Sequence, residues 1–425
     1  MRPSHLIFCP LLPWIWNNTM ISPLAPKNGF PSLPEIKGVR FAALEAGVRY
    51  QGRKDVMLAE LCPGSAVAGV FTRSATRSAN VLDCQEKIGG NTDAGAAIIV
   101  NSGNSNAFTG KAGEGSVKAI CDAVAATCSL PEARVFTSST GVIGERLPHD
   151  RITAKVGELA ENLSAGDIKD AAEAIMTTDT FPKGCAAETP SGVKIAGIAK
   201  GSGMIAPDMA TMLVYIFTDA KMNQALLQSL LSDLTNKTFN AITVDSDTST
   251  SDTLLLGATG QSDAPEILAD NQDYTDFRNA LHKVMLDLSH QVVKDGEGAT
   301  KFVEVQVHGA DSAVDARRCA MAIANSPLIK TAVAGEDPNW GRVVMAVGKS
   351  GAMADRDLLS IRFGDILVAE KGWVAESYTE DDGAAYMKGE NIVISVDLGL
   401  GDATDTVWTC DFTKRYIEIN ADYRS

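Results

Sequence analysis

Apolar segments alternate with polar loops along the chain, and the apolar residues within them follow two different patterns. Short runs rich in β-branched and aromatic residues, such as 96–100 and 212–217, predict buried strands. Longer segments with apolar residues three and four positions apart predict helices, and 274–293 shows this spacing most clearly. Because both kinds of segment occur in both halves, the pattern predicts α/β or α+β layers rather than a bundle or a solenoid.

Further elements follow from the same patterning. The other predicted helices are 113–128, 150–164, 167–175, 221–235 and 313–324. Further predicted strands are 134–137, 192–199, 241–244, 253–257, 302–307, 342–347, 358–363, 392–398, 406–412 and 416–419. After the strand 96–100, the residues 101–107 are rich in Asn and Gly and predict a polar loop, either an ordinary turn or a ligand site.

One glycine-punctuated stretch, 200–213, lies at the middle of the sequence and leads into the apolar run that begins at Met212. Thr211 lies where this loop enters the predicted strand. A hydroxyl held by a strand, beside a loop that leaves room for a substrate, is well placed to act as a nucleophile. The alternative is a β-branched residue that starts a strand, and the local pattern alone favours that alternative.

The composition is that of a globular protein and narrows the chemistry. A length of 425 residues with 45% hydrophobic residues predicts two subdomains or two stacked layers. The net charge of −15 argues against a nucleic-acid partner. The 8 cysteines form no C-x-x-C pair, which predicts reduced, mostly buried thiols in the cytoplasm. The 5 histidines form no cluster typical of a metal site or a His-based triad, so we expect no metal, and any nucleophile needs another base. We also expect no bound cofactor.

Residues 1–27 are predicted to be an N-terminal extension outside the fold. Their apolar part, 6–16, contains two prolines and is too short to cross a membrane. It also lacks a clear signal-peptide cleavage site. We therefore expect no membrane association, and we take Met20 as the hypothetical start of translation.

A threonine hydroxyl needs a base, and no histidine is placed to serve as one. The α-amine of the same residue can act as the base if the chain is cut just before it, because a free α-amine has a pKa of about 8. A cut between Ala210 and Thr211 would divide the chain into 1–210 and 211–425.

The stretch 201–213 resembles the self-cleavage motif of the ornithine acetyltransferases, the ArgJ family of bifunctional glutamate N-acetyltransferases. Ordered matches cover nearly the whole chain beyond residue 28: 52–55, 69–72, 100–104 with Asn106, 139–144, 176–180, 294–301, 335–342 and 419–424. Their number and order make the resemblance specific. One departure is Ser425, where the family commonly has a threonine; the hydroxyl is retained.

The resemblance implies an α/β layered sandwich of sheets and helices, similar to ArgJ and DmpA-like proteins. It implies self-cleavage into an α chain, 28–210, and a β chain, 211–425. Two copies of each chain would assemble into a heterotetramer. The localisation expected for such a protein is cytoplasmic.

The resemblance also implies which residues carry the chemistry. Thr211 would be the nucleophile, and Thr140 with Gly141 would form the oxyanion hole; a strand-ending turn is the alternative for 138–141. The positions that match the substrate contacts of the family are Thr177, Lys200, Thr211, Glu297, Asn420 and Ser425.

Two of these residues have charges that suit an amino acid. Lys200 suits the carboxylate of the substrate. Glu297 suits the amino group of ornithine, or the orientation of the nucleophile's amine; a capping carboxylate in a glycine turn is the alternative.

The implied reaction is a ping-pong transfer of acetyl from N²-acetyl-L-ornithine to L-glutamate through acetyl-Thr211. Bifunctional members also use acetyl-CoA as the donor, so the implied activities are glutamate N-acetyltransferase and amino-acid N-acetyltransferase. Two alternatives stay open. One is a self-processing N-terminal-nucleophile aminopeptidase or amidase, in which water replaces glutamate, and the other is a non-catalytic scaffold.

Overall fold

Three β-sheets organise the part of the chain that the computed structural model describes, residues 20–206 and 212–421. The strands are β1 Val39–Leu44, β2 Val56–Leu61, β3 Ala66–Phe71, β4 Ala96–Asn104, β5 Val135–Val142, β6 Lys183–Glu188, β7 Lys194–Lys200, β8 Leu213–Thr218, β9 Thr253–Ala258, β10 Phe302–Ala310, β11 Ser360–Phe363, β12 Ile366–Glu370, β13 Trp373–Val374, β14 Asn391–Asp397 and β15 Ala403–Cys410. The helices are α1 Ala79–Lys87, α2 Gly110–Cys128, α3 His149–Thr153, α4 Val156–Glu161, α5 Ile168–Ala174, α6 Gln224–Lys237, α7 Gln272–Lys294, α8 Ala313–Ala324, α9 Pro327–Ala334, α10 Trp340–Lys349, α11 Glu380–Met387 and α12 Lys414–Ala421.

The first two sheets pack face to face, with helices on both outer faces. Their strand orders are β1-β2-β4-β5 and β3-β9-β8-β7-β6. The core between them contains Met57, Phe136 and Tyr215. Helices α2, α3 and α4 cover the first sheet, while α6 and α7 cover the second. This helix–sheet–sheet–helix order confirms the predicted layered sandwich of α/β type.

Strand β8 shows why the apolar run at 213–217 is continuous. Leu213, Tyr215 and Phe217 face the other sheet. Val214 and Ile216 face the helices. Since successive side chains of a strand point to opposite faces, a strand covered on both sides needs apolar residues at every position.

The third sheet, of order β13-β12-β11-β14-β10-β15, forms a separate core with α8, α9, α10 and α11. It contacts the sandwich through α7. The ring of His290 packs against those of Phe302 and Trp408, at centroid distances of 5.1 and 4.6 Å. In addition, the backbone N–H of Thr243 donates to the carbonyl of Trp408 at 3.0 Å.

The predicted strand at 342–347 is wrong, because these residues lie inside α10. Val343, Ala346 and Val347 are buried there, and this spacing of three and four places them on one helical face against the third core. Packing against α8 and α9 therefore overrides the β-propensity of the run.

Two other predicted strands are also wrong. Residues 416–419 lie inside α12, where the hydroxyl of Thr413 accepts the N–H of Arg415 as the helix begins. Residue 241 ends a 3-10 turn, Phe239–Ala241, and the residues after it form no strand; an isolated bridge joins Ile242 to Trp408.

The predicted helix 150–164 is interrupted between α3 and α4. Its apolar face is nevertheless retained, because Ile152, Val156 and Leu159 all pack under the first sheet. Among the helices of the described ranges, none combines the length and the apolar character that a membrane crossing requires.

The boundaries at residues 28 and 211 stay predictions, and residues 1–19 lie outside the described residues. Ser22, in the segment predicted to be an extension, is buried. Its N–H donates to Thr180 Oγ1 at 2.9 Å and its hydroxyl donates to the carbonyl of Lys294 at 2.6 Å. The described end of that segment is therefore attached to the sandwich.

Candidate active site

Strand ends from both sheets of the sandwich meet at one rim. Lys200, the last residue of β7, pairs with Leu213 at the start of β8. Strand β9 is parallel to β8 and starts at the same rim. The other sheet reaches this rim through the segment after β4, because the hydroxyl of Ser251 donates to the carbonyl of Ser105 at 3.4 Å.

Buried charges of alternating sign lie beneath the rim. Lys183 Nζ is 2.6 Å from Asp295 Oδ2 and 2.6 Å from Asp179 Oδ1. Lys200 Nζ lies 3.7 Å from Asp179 Oδ2. Each of these ions has an oppositely charged neighbour, as buried charges require. Burial alone would raise the pKa of Asp179, but Lys183 and Lys200 hold it well below its usual range.

Asp179 joins two of the predicted substrate contacts. Its Oδ2 accepts the backbone N–H of Thr177 at 3.0 Å, and its Oδ1 accepts that of Gly201 at 2.6 Å. Gly201 directly follows Lys200. The carboxylate therefore fixes the backbone at both predicted positions as well as the Lys200 ammonium.

Burial also shifts the pKa values of Lys200 and Asp295, which lie on either side of this cluster. Burial lowers the pKa of Lys200, while Asp179 opposes that effect. Burial also raises the pKa of Asp295 to about 6, and the negative charge of Asp179 acts in the same direction. The sequence resemblance included Asp179 and Asp295 within matched segments but indicated no role for them or for Lys183.

Glu297 and Asn420 are in direct contact. Asn420 Nδ2 donates to Glu297 Oε2 at 2.7 Å, and the N–H of Glu297 donates to the carbonyl of Ser202 at 2.9 Å. Burial raises the pKa of the Glu297 carboxyl, and the hydrogen bond from Asn420 opposes that shift. A Cβ at Gly203 would lie 2.5 Å from Glu297 Cδ, so this close approach requires glycine.

Helix α12, which carries Asn420, is held by aromatic and polar contacts. Phe412 stacks on Tyr416 with ring centroids 4.7 Å apart. The Tyr416 hydroxyl bonds to Asp245 Oδ2 at 3.3 Å, and the same oxygen accepts the N–H of Met204 at 2.6 Å. Asp245, which the sequence did not single out, thus ties the C-terminal helix to the loop after Lys200.

Thr140 and Gly141 lie near the end of β5, beside the irregular end of β4. Gly141 has a φ of +132°, and a Cβ there would be only 2.3 Å from the backbone carbon of Gly103. The β4–β5 register shifts at Asn104, which lies opposite both Thr140 and Val142. Such an irregularity redirects backbone groups away from the ladder, as a site for an oxyanion would need.

The loop predicted after residue 100 is partly strand, since β4 continues to Asn104. Its polar side chains hold the two strands together. The Ser139 hydroxyl donates to Asn101 Oδ1 at 2.6 Å, and Asn101 Nδ2 donates to the carbonyl of Asn104 at 2.9 Å. These residues therefore support the position of Thr140 and Gly141.

Ala210, Thr211 and Ser425 lie outside the described residues. The described residue that follows Thr211 is Met212, whose N–H donates to Asp252 Oδ1 at 2.8 Å. Asp252 is fully buried and was not identified by sequence reasoning.

One group of potential metal ligands, Asp83, Cys121 and Glu132, occurs in the described ranges. Lys87 Nζ lies 2.9 Å from Asp83, 2.8 Å from Glu132 and 3.3 Å from Cys121 Sγ. The ammonium already supplies the positive charge that these ligands attract, so we interpret the group as an ion-pair cluster.

Residues 40–425 match the sequence model described as the ArgJ family. The chain belongs to the ArgJ family. This confirms the resemblance drawn from the motifs and makes the chain an enzyme of arginine biosynthesis.

The ArgJ relatives are similar over almost their full length. The arginine biosynthesis bifunctional protein ArgJ of Ruegeria pomeroyi is 67% identical over 410 residues, which cover 96% of this chain and 99% of the relative. That of Gluconobacter oxydans is 53% identical, covering 95% and 96%. A crystal structure of the same-named protein from Bacillus halodurans is 39% identical, with a TM-score of 0.48, covering 49% of this chain and 97% of that one.

In this ArgJ-family chain, some of the predicted site residues are in contact with one another, and others are not. Asp179 contacts both Thr177 and Lys200. Glu297 and Asn420 share a direct hydrogen bond. Thr140 lies on the neighbouring sheet at the same rim. The roles of all these residues stay predictions.

Proposed function

We propose that this chain transfers acetyl from N²-acetyl-L-ornithine to L-glutamate, and also from acetyl-CoA to L-glutamate. The observation that carries the proposal is a pair of opposite charges buried at one rim. Lys200 and Glu297 are both buried, and the carbonyl of Ser202, two residues after Lys200, accepts the N–H of Glu297 at 2.9 Å. An amino-acid substrate has both a carboxylate and an amino group, so it complements both charges.

The first half-reaction uses Thr211 as the nucleophile. Its Oγ forms a bond to the acetyl carbon of N-acetylornithine, and its proton passes to the α-amine of Thr211. Thr140 and Gly141 stabilise the oxyanion, a contribution of about 3 kcal/mol per donor. The carbon–nitrogen bond then breaks, and the α-amine returns the proton to the departing nitrogen of ornithine.

The second half-reaction reverses these steps with glutamate. The amine of glutamate attacks the acetyl ester, the Thr211 Oγ leaves, and the proton lost by the amine returns to Oγ through the α-amine. N-acetylglutamate is released and the hydroxyl is free again. Acetyl-CoA would load Thr211 in the same way, with its thiol as the leaving group.

The α-amine on which this chemistry depends would come from self-cleavage. The Thr211 Oγ attacks the carbonyl carbon of Ala210, and the peptide nitrogen takes up the hydroxyl proton and leaves that carbon as the ester forms. Water then hydrolyses the ester, which releases 1–210 and the new amino terminus of 211–425. As the sequence resemblance implies, we propose that two of each chain form a heterotetramer, in the cytoplasm and without a bound cofactor.

Intact mass of the purified protein tests the proposal. The wild type should give the two pieces 1–210 and 211–425, whereas Thr211→Ala should give only the uncut chain and no acetyl transfer. Thr248→Ala, at an exposed position of a nearby loop, is the matched control and should behave as the wild type. An uncut wild type that still transfers acetyl would contradict the mechanism.

An activity assay on the same preparation distinguishes a transferase from a hydrolase. N-acetylornithine is supplied with and without glutamate, and both N-acetylglutamate and acetate are measured. We expect N-acetylglutamate only when glutamate is present, and the same product with acetyl-CoA as donor. Release of acetate at an equal rate without glutamate would instead support an amidase.

A further inference from the structure

Lys330 is a buried lysine of helix α9, on the side of the third sheet. Its apolar neighbours in the helix, Ile329 and Val333, belong to the third core. A lysine is rarely buried so completely, because its amino group must leave water and then needs partners inside the protein. The reaction proposed above gives Lys330 no role, so its burial calls for an explanation.

The partners of the Lys330 amino group lie in one connecting segment, residues 409–413, which contains the end of β15 and leads into α12. Its Nζ donates to Thr409 Oγ1 at 2.6 Å and to the carbonyl of Cys410. Nζ also lies 4.6 Å from the centre of the Phe412 ring, and the N–H of Phe412 donates to the carbonyl of Lys330 at 3.2 Å. One residue therefore holds the connecting segment at several points.

The hydrogen bonds of Lys330 do not require a charged amine. Burial lowers the pKa of Lys330, while the nearby groups of Cys410, Asp411 and Asp245 oppose that shift. Both hydrogen bonds use N–H donors, and a neutral amine has such donors just as an ammonium group does. The position of the connecting segment therefore depends on the presence of the amine rather than on its protonation.

The connecting segment also holds the loop that follows Glu297. Asp411 Oδ1 accepts the N–H of Thr300 at 2.8 Å, and Asp411 Oδ2 accepts the hydroxyl of Thr300 at 2.6 Å. The hydroxyl of Thr413 donates to the carbonyl of Gly298, the residue after Glu297, at 2.7 Å. A displacement of the connecting segment would therefore be transmitted to Glu297.

Helix α12 then brings Asn420 back to Glu297. Phe412, at the end of the connecting segment, stacks on Tyr416. Asn420 Nδ2 donates to the carbonyl of Tyr416 at 3.0 Å and to Glu297 Oε2 at 2.7 Å. Contacts between described residues thus lead from Lys330 to both members of the Glu297–Asn420 pair.

We propose that Lys330 is a positioning residue for the Glu297–Asn420 pair and so determines how tightly the site binds the free amino group of N-acetylornithine. This inference rests on the proposed function. N-acetylornithine has one free amine, that of its side chain, because its α-nitrogen carries the acetyl group. Acetyl-CoA has no ammonium group, so its binding does not depend on the pair. Lys330 acts through the connecting segment and takes no part in the bonds that form and break.

Lys330→Met tests the inference, because methionine fills the space of the lysine stem without its N–H donors. We expect KM for N-acetylornithine, measured at saturating glutamate, to rise roughly tenfold, while kcat changes by less than about twofold. KM for acetyl-CoA should stay within about twofold of the wild-type value. A merely structural role for Lys330 would lower stability without separating the two donors.

Two further measurements show whether the effect passes through α12. Amide hydrogen exchange in 414–421 should be faster in Lys330→Met than in the wild type, whereas exchange in the strands of the sandwich should be unchanged. The second measurement is a double-mutant cycle with Asn420→Ala. The increase in KM of the double variant should be smaller than the product of the two single increases, because both substitutions disturb the same contact.

Lys349→Met is the matched control, because Lys349 is an exposed lysine at the end of α10. Its KM values and its amide exchange should equal those of the wild type. A folded Lys330→Met protein whose KM values for the two donors are unchanged, or change by the same factor, overturns the inference and leaves the proposed function standing. Multiplicative effects in the cycle with Asn420→Ala do the same. A wild type that transfers no acetyl from N-acetylornithine overturns the proposed function, and the inference with it.

Thr409→Val decides the matter if Lys330→Met folds poorly. It keeps the lysine and the shape of the threonine but removes the acceptor of one Nζ hydrogen bond. We expect a smaller change in the same direction, with KM for N-acetylornithine about threefold higher, KM for acetyl-CoA unchanged and faster exchange in 414–421. A folded Thr409→Val protein with wild-type exchange in α12 and a wild-type KM overturns the inference.

Discussion

At the scale of single residues, buried charges determine the character of the site. Asp179 is fully buried between Lys183 and Lys200 and also accepts two backbone N–H groups. One side chain therefore contacts four polar groups, and of these Lys183 also pairs with Asp295. A carboxylate in that position stabilises the fold and the binding site together.

Replacing this carboxylate should affect both stability and binding. Asp179→Asn leaves two buried ammonium groups with one anion fewer, so we expect the free energy of unfolding to fall by about 3–5 kcal/mol. KM for N-acetylornithine should also rise, because Lys200 loses its orientation. Urea denaturation and steady-state kinetics measure the two effects.

The control for this substitution is Asp170→Asn, which removes the ion pair with Lys54, where both side chains are more than one-third exposed. That pair should contribute less than about 1 kcal/mol. If the two substitutions lower the free energy of unfolding equally, the buried ion pairs of Asp179 stabilise the fold no more than an exposed pair does.

Gly203→Ala tests the close approach between the central loop and Glu297. The added Cβ would lie 2.5 Å from Glu297 Cδ, so the carboxylate must move and its bond to Asn420 is weakened. We expect KM for N-acetylornithine to rise roughly tenfold, equivalent to about 1.4 kcal/mol of binding, while the chain is still cut. Gly348→Ala, where a Cβ meets nothing within 4 Å, should leave KM unchanged.

At the scale of elements, helix α12 depends on a few contacts. It has no buried side chain, and the Phe412–Tyr416 stack and the Asn420–Glu297 bond are among its principal attachments. Such an element opens at a lower free energy than the strands of the core. Its position, and with it that of Asn420, is therefore sensitive to substitutions outside the site.

Phe412→Ala is expected to loosen this helix. Loss of the stacked ring removes about 0.5–1.5 kcal/mol beyond the area that it buries. We expect KM for N-acetylornithine to increase several-fold with kcat changed less, and faster amide hydrogen exchange in 414–421. Val374→Ala, at an exposed position of β13, serves as the control. Unchanged exchange in α12 would contradict the role of the stack.

At the scale of the whole molecule, the sandwich and the third sheet meet around one histidine. His290 of α7 packs against Phe302 and Trp408, and its Nε2 is buried without a hydrogen-bond partner among the described residues. Burial lowers the pKa of His290 to about 4. A proton on this ring would therefore disrupt the junction of the two cores.

The resulting prediction is acid sensitivity. The unfolded chain binds a proton at His290 near pH 6.5, whereas the folded chain does so only near pH 4, so stability is lost as the pH falls between these values. The loss from this group amounts to about 3 kcal/mol at most. His290→Phe should remove it, as urea denaturation at pH 7 and pH 4.5 would show. His308→Phe, at an exposed site of β10, should retain the acid sensitivity of the wild type.

The sequence by itself determined the class of fold and the family. The apolar run of β8, covered on both faces, and the spacing of α7 are local patterns, and each appears in the structure at the predicted place. Ordered motifs along the chain led to ArgJ, which the family match confirms. Where local pattern and packing disagree, as in α10, the sequence predicted the wrong element.

Only the tertiary structure decided which side chains meet. Glu297 and Asn420 are 123 positions apart in sequence, and Met212 and Asp252 are 40 apart. Such contacts depend on strand register and on how the layers stack, and neither is encoded in any one short segment. For this reason the sequence indicated Lys200 and Glu297, whereas Asp179, Asp245 and Asp252 emerged only from the folded chain.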